Sequence, residues 1–71
     1  MQNQIDELLK QVSEYVESGD LEDEMKEDLV ELVDRVKLSP TKENLLVLSK
    51  ILSSVSKASL AEVALNIANI Q

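Results

Sequence analysis

The sequence predicts an all-α fold, a small helical bundle with three main helices and a short C-terminal helix. Apolar residues recur every three or four positions along most of the chain, which is the period of an amphipathic helix. One Gly and one Pro interrupt the 71 residues, and both lie where a helix is expected to end or begin. A chain of this length forms one domain, so we expect residues 1–71 to share a single core.

The first helix is predicted over residues 3–18. Asn3 is a favourable N-cap, and Gly19 suits the left-handed position that often follows a helix C-terminus. The apolar residues of this segment occupy an arc of about 120° on a helical wheel, as in an ordinary amphipathic helix. They are Ile5, Leu8, Leu9, Val12, Tyr15 and Val16.

The second helix is predicted over residues 20–38, with Asp20 as its N-cap. Arg35 and Lys37 fall in the last turn, where basic side chains interact favourably with the negative end of the helix dipole. Val30 lies off the apolar stripe, so we expect it to be partly exposed. The inward-facing residues are Leu21, Met25, Leu29, Leu32, Val33 and Val36.

The third helix is predicted over residues 40–57. Ser is a preferred N-cap and Pro is preferred in the first helical position, so Ser39 and Pro40 are expected to start it. Its main apolar face consists of Leu45, Leu48, Ile51, Leu52 and Val55.

A serine-rich stretch over residues 53–59 is expected to interrupt this helix. Ser59 and Glu62 have the spacing of a capping box, which favours a break near residues 57–59 and a fourth helix over residues 59–70. The stretch contains neither Gly nor Pro, so the alternative is one long, bent third helix from Pro40 to Ile70.

The C-terminal segment has an unusually wide apolar surface. Nine of the thirteen residues from Ala58 to Ile70 are Ala, Leu, Val or Ile, and they cover an arc of about 220°. Three interpretations follow: a central helix whose alanines allow close approach, a helix that offers one side to a partner, or a membrane-surface helix. The third is disfavoured because the polar strip lacks Lys and Arg. The expected partner-binding residues are Leu60, Val63, Ala64, Ile67 and Ile70.

Charge is unevenly distributed along the chain. Residues 1–38 hold twelve acidic and four basic side chains, whereas residues 39–71 hold two and three, for a net charge of −7. An excess of acid argues against direct binding of nucleic acid, whose phosphates require Lys and Arg. The acidic surface is expected to be mainly a solvated face, or alternatively to dock onto a basic partner. The residues of that alternative site are Glu24, Glu27, Asp28 and Glu31.

The composition argues against catalysis and cofactor binding. The chain has no Cys or His, which removes disulfides, the usual zinc and haem ligands and the commonest general base. A single Gly is too few for a phosphate-binding loop, and Met25 stands where a calcium loop starting at Asp20 needs Gly. We therefore expect no enzymatic activity, no cofactor and no metal ion.

The N-terminal residues do not have the basic and then apolar pattern of a secretory signal. No segment approaches the roughly 18–20 apolar residues of a membrane span. These features predict a cytoplasmic protein that does not associate with membranes.

The order of features from Glu22 to Ile70 is an acidic helix, a polar turn (Ser39-Pro40-Thr41-Lys42), a Leu-rich helix and an Ala/Val/Ile end. This order, over about two-thirds of the chain, resembles the small helical accessory modules of bacterial abortive-infection and related defence proteins. The resemblance implies a bacterial or phage origin and a role in assembly, and it carries over no functional residue.

The sequence therefore predicts a non-catalytic protein-interaction or self-association module that docks through its apolar C-terminal helix. Its partner would be another protein or a second copy of the chain. The alternative is a small acidic inhibitor or decoy that occupies a basic or nucleic-acid-binding site of a partner.

Overall fold

Four helices form the described part of the chain, which comprises residues 2–19 and 21–70. In the computed structural model they are α1, Gln2–Ser18; α2, Asp23–Leu38; α3, Lys42–Ser54; and α4, Ala58–Ile70. These residues contain no strand, so the all-α prediction is confirmed. The last helix was expected to be short. It has 13 residues, the same length as α3.

The helices contact one another in a ring: α1 with α2, α2 with α3, α3 with α4, and α4 with α1. The connections are only three or four residues long, which makes successive helices antiparallel neighbours. The two diagonal pairs do not approach closely within the described residues. The acidic helix α2 and the apolar helix α4 therefore occupy opposite corners of the bundle.

The core consists of aliphatic side chains from all four helices. The apolar stripes predicted for the first three helices supply most of it, and no described polar or charged residue is buried. Val30 is half-exposed, as expected. The bulkiest side chains that are fully buried are Leu8, Val12, Leu29, Val36, Leu45, Leu48 and Leu52.

The accessible surface area is that of a folded monomer. It measures 4606 Å², against about 4,400 Å² expected for a monomeric protein of this mass. The described helices therefore pack as compactly as those of a typical protein of this size.

The starts of α2 and α3 differ from the predicted caps. α2 begins after Glu22, whose side chain makes no capping hydrogen bond, and the predicted cap Asp20 lies outside the described residues. The N-cap of α3 is Thr41, whose hydroxyl accepts a hydrogen bond from the backbone N–H of Asn44 at 3.2 Å. Ser39 instead ends α2, so Ser39 and Pro40 do not start α3 as predicted.

Pro40 lies at the centre of a tight turn that explains this shift. The N–H of Thr41 donates to the carbonyl of Ser39 at 2.8 Å, which closes a three-residue γ-turn around Pro40. The Asn44 amide also donates to the Ser39 carbonyl at 2.8 Å. The fixed φ of proline fits the centre of this turn as well as the first turn of a helix. Local hydrogen bonding thus moves the helix start to residue 42.

The start of α1, the role of Gly19 and the start of α4 also differ from prediction. α1 begins at Gln2, so Asn3 lies inside the helix and not at its N-cap. Gly19 does not have positive φ. A Cβ atom at this position would lie 2.7 Å from Cε1 of Tyr15, so glycine is needed for space and not for a left-handed backbone. α4 begins at Ala58, which places Ser59 inside the helix and not at the N-cap of a capping box.

A three-residue turn separates α3 from α4, so the predicted break is confirmed. The N–H of Lys57 donates to the carbonyl of Leu52 at 2.9 Å, and the N–H of Ser56 donates to that of Ser53 at 3.2 Å. These two bonds define a Schellman motif. Its left-handed position is occupied by Ser56, with φ of 64°, the one positive φ at a described non-glycine residue.

Tyr15 connects this turn to α1. Its hydroxyl donates to the carbonyl of Val55 at 3.4 Å. The ammonium nitrogen of Lys57 lies 4.6 Å from the centre of its ring, within the range of a cation–π interaction. The sole aromatic ring of the chain is thus placed against the α3–α4 turn.

Small residues allow α3 and α4 to pack closely. Ala61, Ala64 and Ala68 are buried, and the Ser49 hydroxyl on α3 donates to the Ala61 carbonyl on α4 at 2.9 Å. Alanine side chains let two helix backbones approach at short range. These three alanines therefore face the bundle, whereas Ala58 is exposed.

Replacing Ser56 with Gly is expected to raise the free energy of unfolding by about 0.5–1 kcal/mol. Glycine removes the cost of a left-handed residue, and its greater freedom in the unfolded state offsets part of that gain. Urea denaturation measures the change. Ser53→Gly, an exposed position within α3, is the control and should destabilise by about 0.5–1 kcal/mol. Equal effects of the two variants would contradict the role given to Ser56.

Replacing Ala64 with Leu is expected to lower the free energy of unfolding by about 1–3 kcal/mol, because the added atoms force α3 and α4 apart. Ala58→Leu places the same side chain on an exposed position of the same helix and should change stability by less than about 0.5 kcal/mol. Thermal unfolding followed by circular dichroism compares the two. An Ala64→Leu variant as stable as the control would show that close packing is not required.

Candidate interaction surface

α4 contacts α3 and α1, and these two neighbours do not cover its whole apolar arc. The side chains of Val63, Leu65 and Ile70 remain 42%, 41% and 62% exposed. The helix is therefore not the central element that one interpretation of the sequence proposed. Its apolar surface divides into a buried face and two exposed edges.

The five predicted partner-binding residues lie in three different environments. Ala64 and Ile67 are buried in the core, so their side chains are not available to a partner of the folded chain. Leu60 is half-buried and packs against the core. Val63 and Ile70 are exposed; in sequence, Val63 precedes Ile67 and Ile70 follows it. Of the five, these last two offer the most apolar surface to a partner.

Val63 and Ile70 form one wall of a groove between α1 and α4. The groove has a volume of about 440 Å³. Its base includes the core residues Leu8 and Ile67, so an occupant would contact the apolar interior directly. The polar residues along it are Asn3, Gln4, Glu7, Gln11 and Asn66.

The groove carries little charge. Glu7 is its one charged lining residue, and its carboxylate accepts a hydrogen bond from the Gln11 amide at 3.3 Å. The remaining polar lining residues are neutral amides, which both donate and accept hydrogen bonds. An apolar base and wall with a neutral polar rim resemble the core and rim of a protein interface.

Sequence analysis missed the contribution of α1 to this groove. The predicted partner-binding residues all belong to the C-terminal segment, and none lies on the α1 wall of the groove. A signal was present in the first helix, where Asn3, Gln4 and Gln11 are neutral amides among exposed charged residues. Together with Glu7 they lie on the side of α1 that faces α4.

The four acidic residues of the alternative site are all exposed on α2. The Glu31 carboxylate accepts a hydrogen bond from the Arg35 guanidinium at 3.4 Å, one turn along the helix. Asp28 and Glu31 border a shallow depression between α2 and α3. All four carboxylates lie on the exposed part of α2, and none is buried.

Two further properties of the described residues concern metals and membranes. They contain no group of three or more acidic side chains placed to hold a metal ion. None of their helices combines the length and the apolar content that crossing a bilayer requires.

Comparisons of the chain with protein-family models, with curated proteins and with solved structures found no match.

Proposed function

We propose that this chain is a non-catalytic interaction module that pairs with a second copy of itself through the α1–α4 groove. The observation that carries the proposal is the position of Val63 and Ile70, which form an apolar ridge beside the groove on the same face. In a twofold-symmetric pair each copy offers both the groove and the ridge, so the ridge of one enters the groove of the other.

The distribution of charge supports this face over others. Two copies each with a net charge of −7 repel one another, and the repulsion is smallest when their most acidic surfaces point apart. α2 lies at the corner opposite α4 and does not contact it. A pair formed through α1 and α4 therefore keeps both α2 surfaces in solvent.

The size of the face predicts a modest affinity. A stable interface buries about 800 Å² from each partner, which is about a sixth of the 4606 Å² surface of this chain. We expect a dissociation constant on the order of micromolar.

Replacing Val63 with Lys is expected to weaken self-association by at least tenfold, because two ammonium groups would enter an apolar interface. Sedimentation equilibrium from about 10 to about 300 μM measures the dissociation constant. Val47→Lys is a matched control: Val47 has the same exposed fraction of 42% but lies on α3, away from the groove.

If Val63→Lys and Val47→Lys both dimerise as strongly as the unsubstituted chain, the proposed interface is contradicted. An unsubstituted chain that stays monomeric throughout the concentration range would remove self-association altogether. Circular dichroism of both variants verifies that each is folded.

The acidic inhibitor or decoy is a second candidate, favoured by the exposure of Glu24, Glu27, Asp28 and Glu31 on one surface of α2. These carboxylates would take the place of nucleic-acid phosphates in a basic site. Such a complex depends on charge attraction, so added salt weakens it steeply. Added salt does not weaken the groove pair, which depends on apolar contacts.

Combined replacement of Glu24, Glu27 and Glu31 with Lys is expected to abolish binding to a short oligolysine peptide without weakening self-association, because it lowers the charge repulsion between two copies. Titration calorimetry from about 50 to about 200 mM salt measures both binding and its salt dependence. The control replaces Glu14, Glu43 and Glu62, which are exposed on the other three helices. Equal loss in the two triple variants would indicate an effect of net charge and contradict an α2 site.

A further inference from the structure

We propose that α4 can be exchanged between two copies of the chain, with residues 55–57 as the hinge. In the exchanged state α3 and α4 join into one continuous helix over residues 42–70, and α4 of each copy occupies the α4 position of the other. The partner is therefore a second copy, held by contacts that the closed monomer already makes.

The hinge is short, and its backbone is under conformational strain. It comprises Val55, Ser56 and Lys57, and Ser56 holds a left-handed conformation with φ of 64°. An L-residue with a side chain adopts this conformation at a cost that glycine does not incur. Short connections under strain favour exchange of the element they join, because opening relieves the strain.

The hinge sequence is compatible with a continuous helix. It contains neither Gly nor Pro, and the serines on either side of it tolerate helical backbone. Straightening would replace the two Schellman hydrogen bonds, from Lys57 to Leu52 and from Ser56 to Ser53, by the regular pattern of an α-helix. No backbone donor or acceptor need be left without a partner.

The buried face of α4 determines where the helix goes once the hinge opens. Ala61, Ala64, Ile67 and Ala68 are covered in the closed chain, and an isolated α4 would expose all of them to water. The position vacated by α4 in a second copy has the matching shape and the same partner for the Ala61 carbonyl, the Ser49 hydroxyl. A second copy is therefore the occupant that these contacts specify.

Tyr15 holds the hinge in its closed form. Its hydroxyl hydrogen-bonds the Val55 carbonyl at 3.4 Å, and its ring lies beneath the Lys57 ammonium at 4.6 Å. Both contacts depend on the position of the turn, so they are lost or remade when the turn straightens. The closed monomer and the exchanged dimer thus differ mainly at the hinge and at this ring.

The proposal is independent of the groove pair. It rests on the α3–α4 turn, whereas the proposed function rests on Val63, Ile70 and the α1–α4 groove. The test therefore uses chains that all carry Val63→Lys, in which a groove pair is disfavoured. A failure of the proposed function then leaves the outcome of this test unchanged.

The test compares Ser56→Val with Ser56→Gly in that background. Val adopts positive φ with difficulty but has about the helix propensity of Ser, so Ser56→Val disfavours the turn and leaves the continuous helix unaffected. Ser56→Gly relieves the strain of the turn and weakens the helix. Each dimer contains two hinges, so we expect its dissociation constant to fall at least tenfold with Val and to rise at least tenfold with Gly.

Cysteines introduced by Ser49→Cys and Ala61→Cys distinguish exchange from any other dimer. The chain has no cysteine of its own, and these two positions contact each other across α3 and α4. In an exchanged dimer the disulfide joins two chains and gives a covalent dimer on a non-reducing gel. In a closed chain, free or paired at the groove, it forms within one chain.

The expected result is a helical dimer for Ser56→Val, measured by light scattering and circular dichroism, with disulfides between chains. The Ser56→Gly chain should be a monomer with disulfides within the chain. A helical Ser56→Val monomer, an unfolded Ser56→Val chain, or dimers whose disulfides lie within each chain would overturn the proposal. Equal dimer formation by the Val and Gly chains would do so as well.

Discussion

The close approach of α3 and α4 determines much of the remaining structure. Their contact relies on Ala61, Ala64 and Ala68 and on the hydrogen bond from Ser49 to the Ala61 carbonyl. Alanines contribute little apolar area, so the larger side chains of α4 are displaced to its edges, where Val63 and Ile70 remain accessible. These two closely packed helices are joined by a turn of only three residues. That turn places Ser56 in the left-handed region.

Because of the order of the helices in the ring, the uneven distribution of charge along the sequence becomes an uneven distribution of charge over the surface. Most of the acid lies in the first two helices, and the least charged segment is the last. Because α4 closes the ring against α1 and lies opposite α2, one face of the molecule is neutral and apolar and another is strongly acidic. The pair proposed above would use the neutral, apolar face and leave the acidic face in solvent.

The sequence alone predicts the four helices, the break between α3 and α4 and most of the core. It does so because apolar residues at helical spacing mark the face that each helix buries. It failed at the caps: Ser39, Pro40 and Gly19 have the chemistry of helix ends, yet a γ-turn and the ring of Tyr15 determine how each is used. It also did not show that Ala64 and Ile67 are buried in the single chain, since a wheel shows how wide an apolar face is but not which part the neighbours cover. The α1 side of the groove is a tertiary feature that no single segment reveals.

Tyr15 has a practical consequence for anyone studying the molecule. It is the only aromatic side chain, so all near-ultraviolet absorption and intrinsic emission of the protein come from one ring. That ring touches the α3–α4 turn through Val55 and Lys57 and has Gly19 against its edge. The molecule therefore contains a built-in optical probe at the α3–α4 turn, and the spectrum of the unlabelled protein reports the state of that turn.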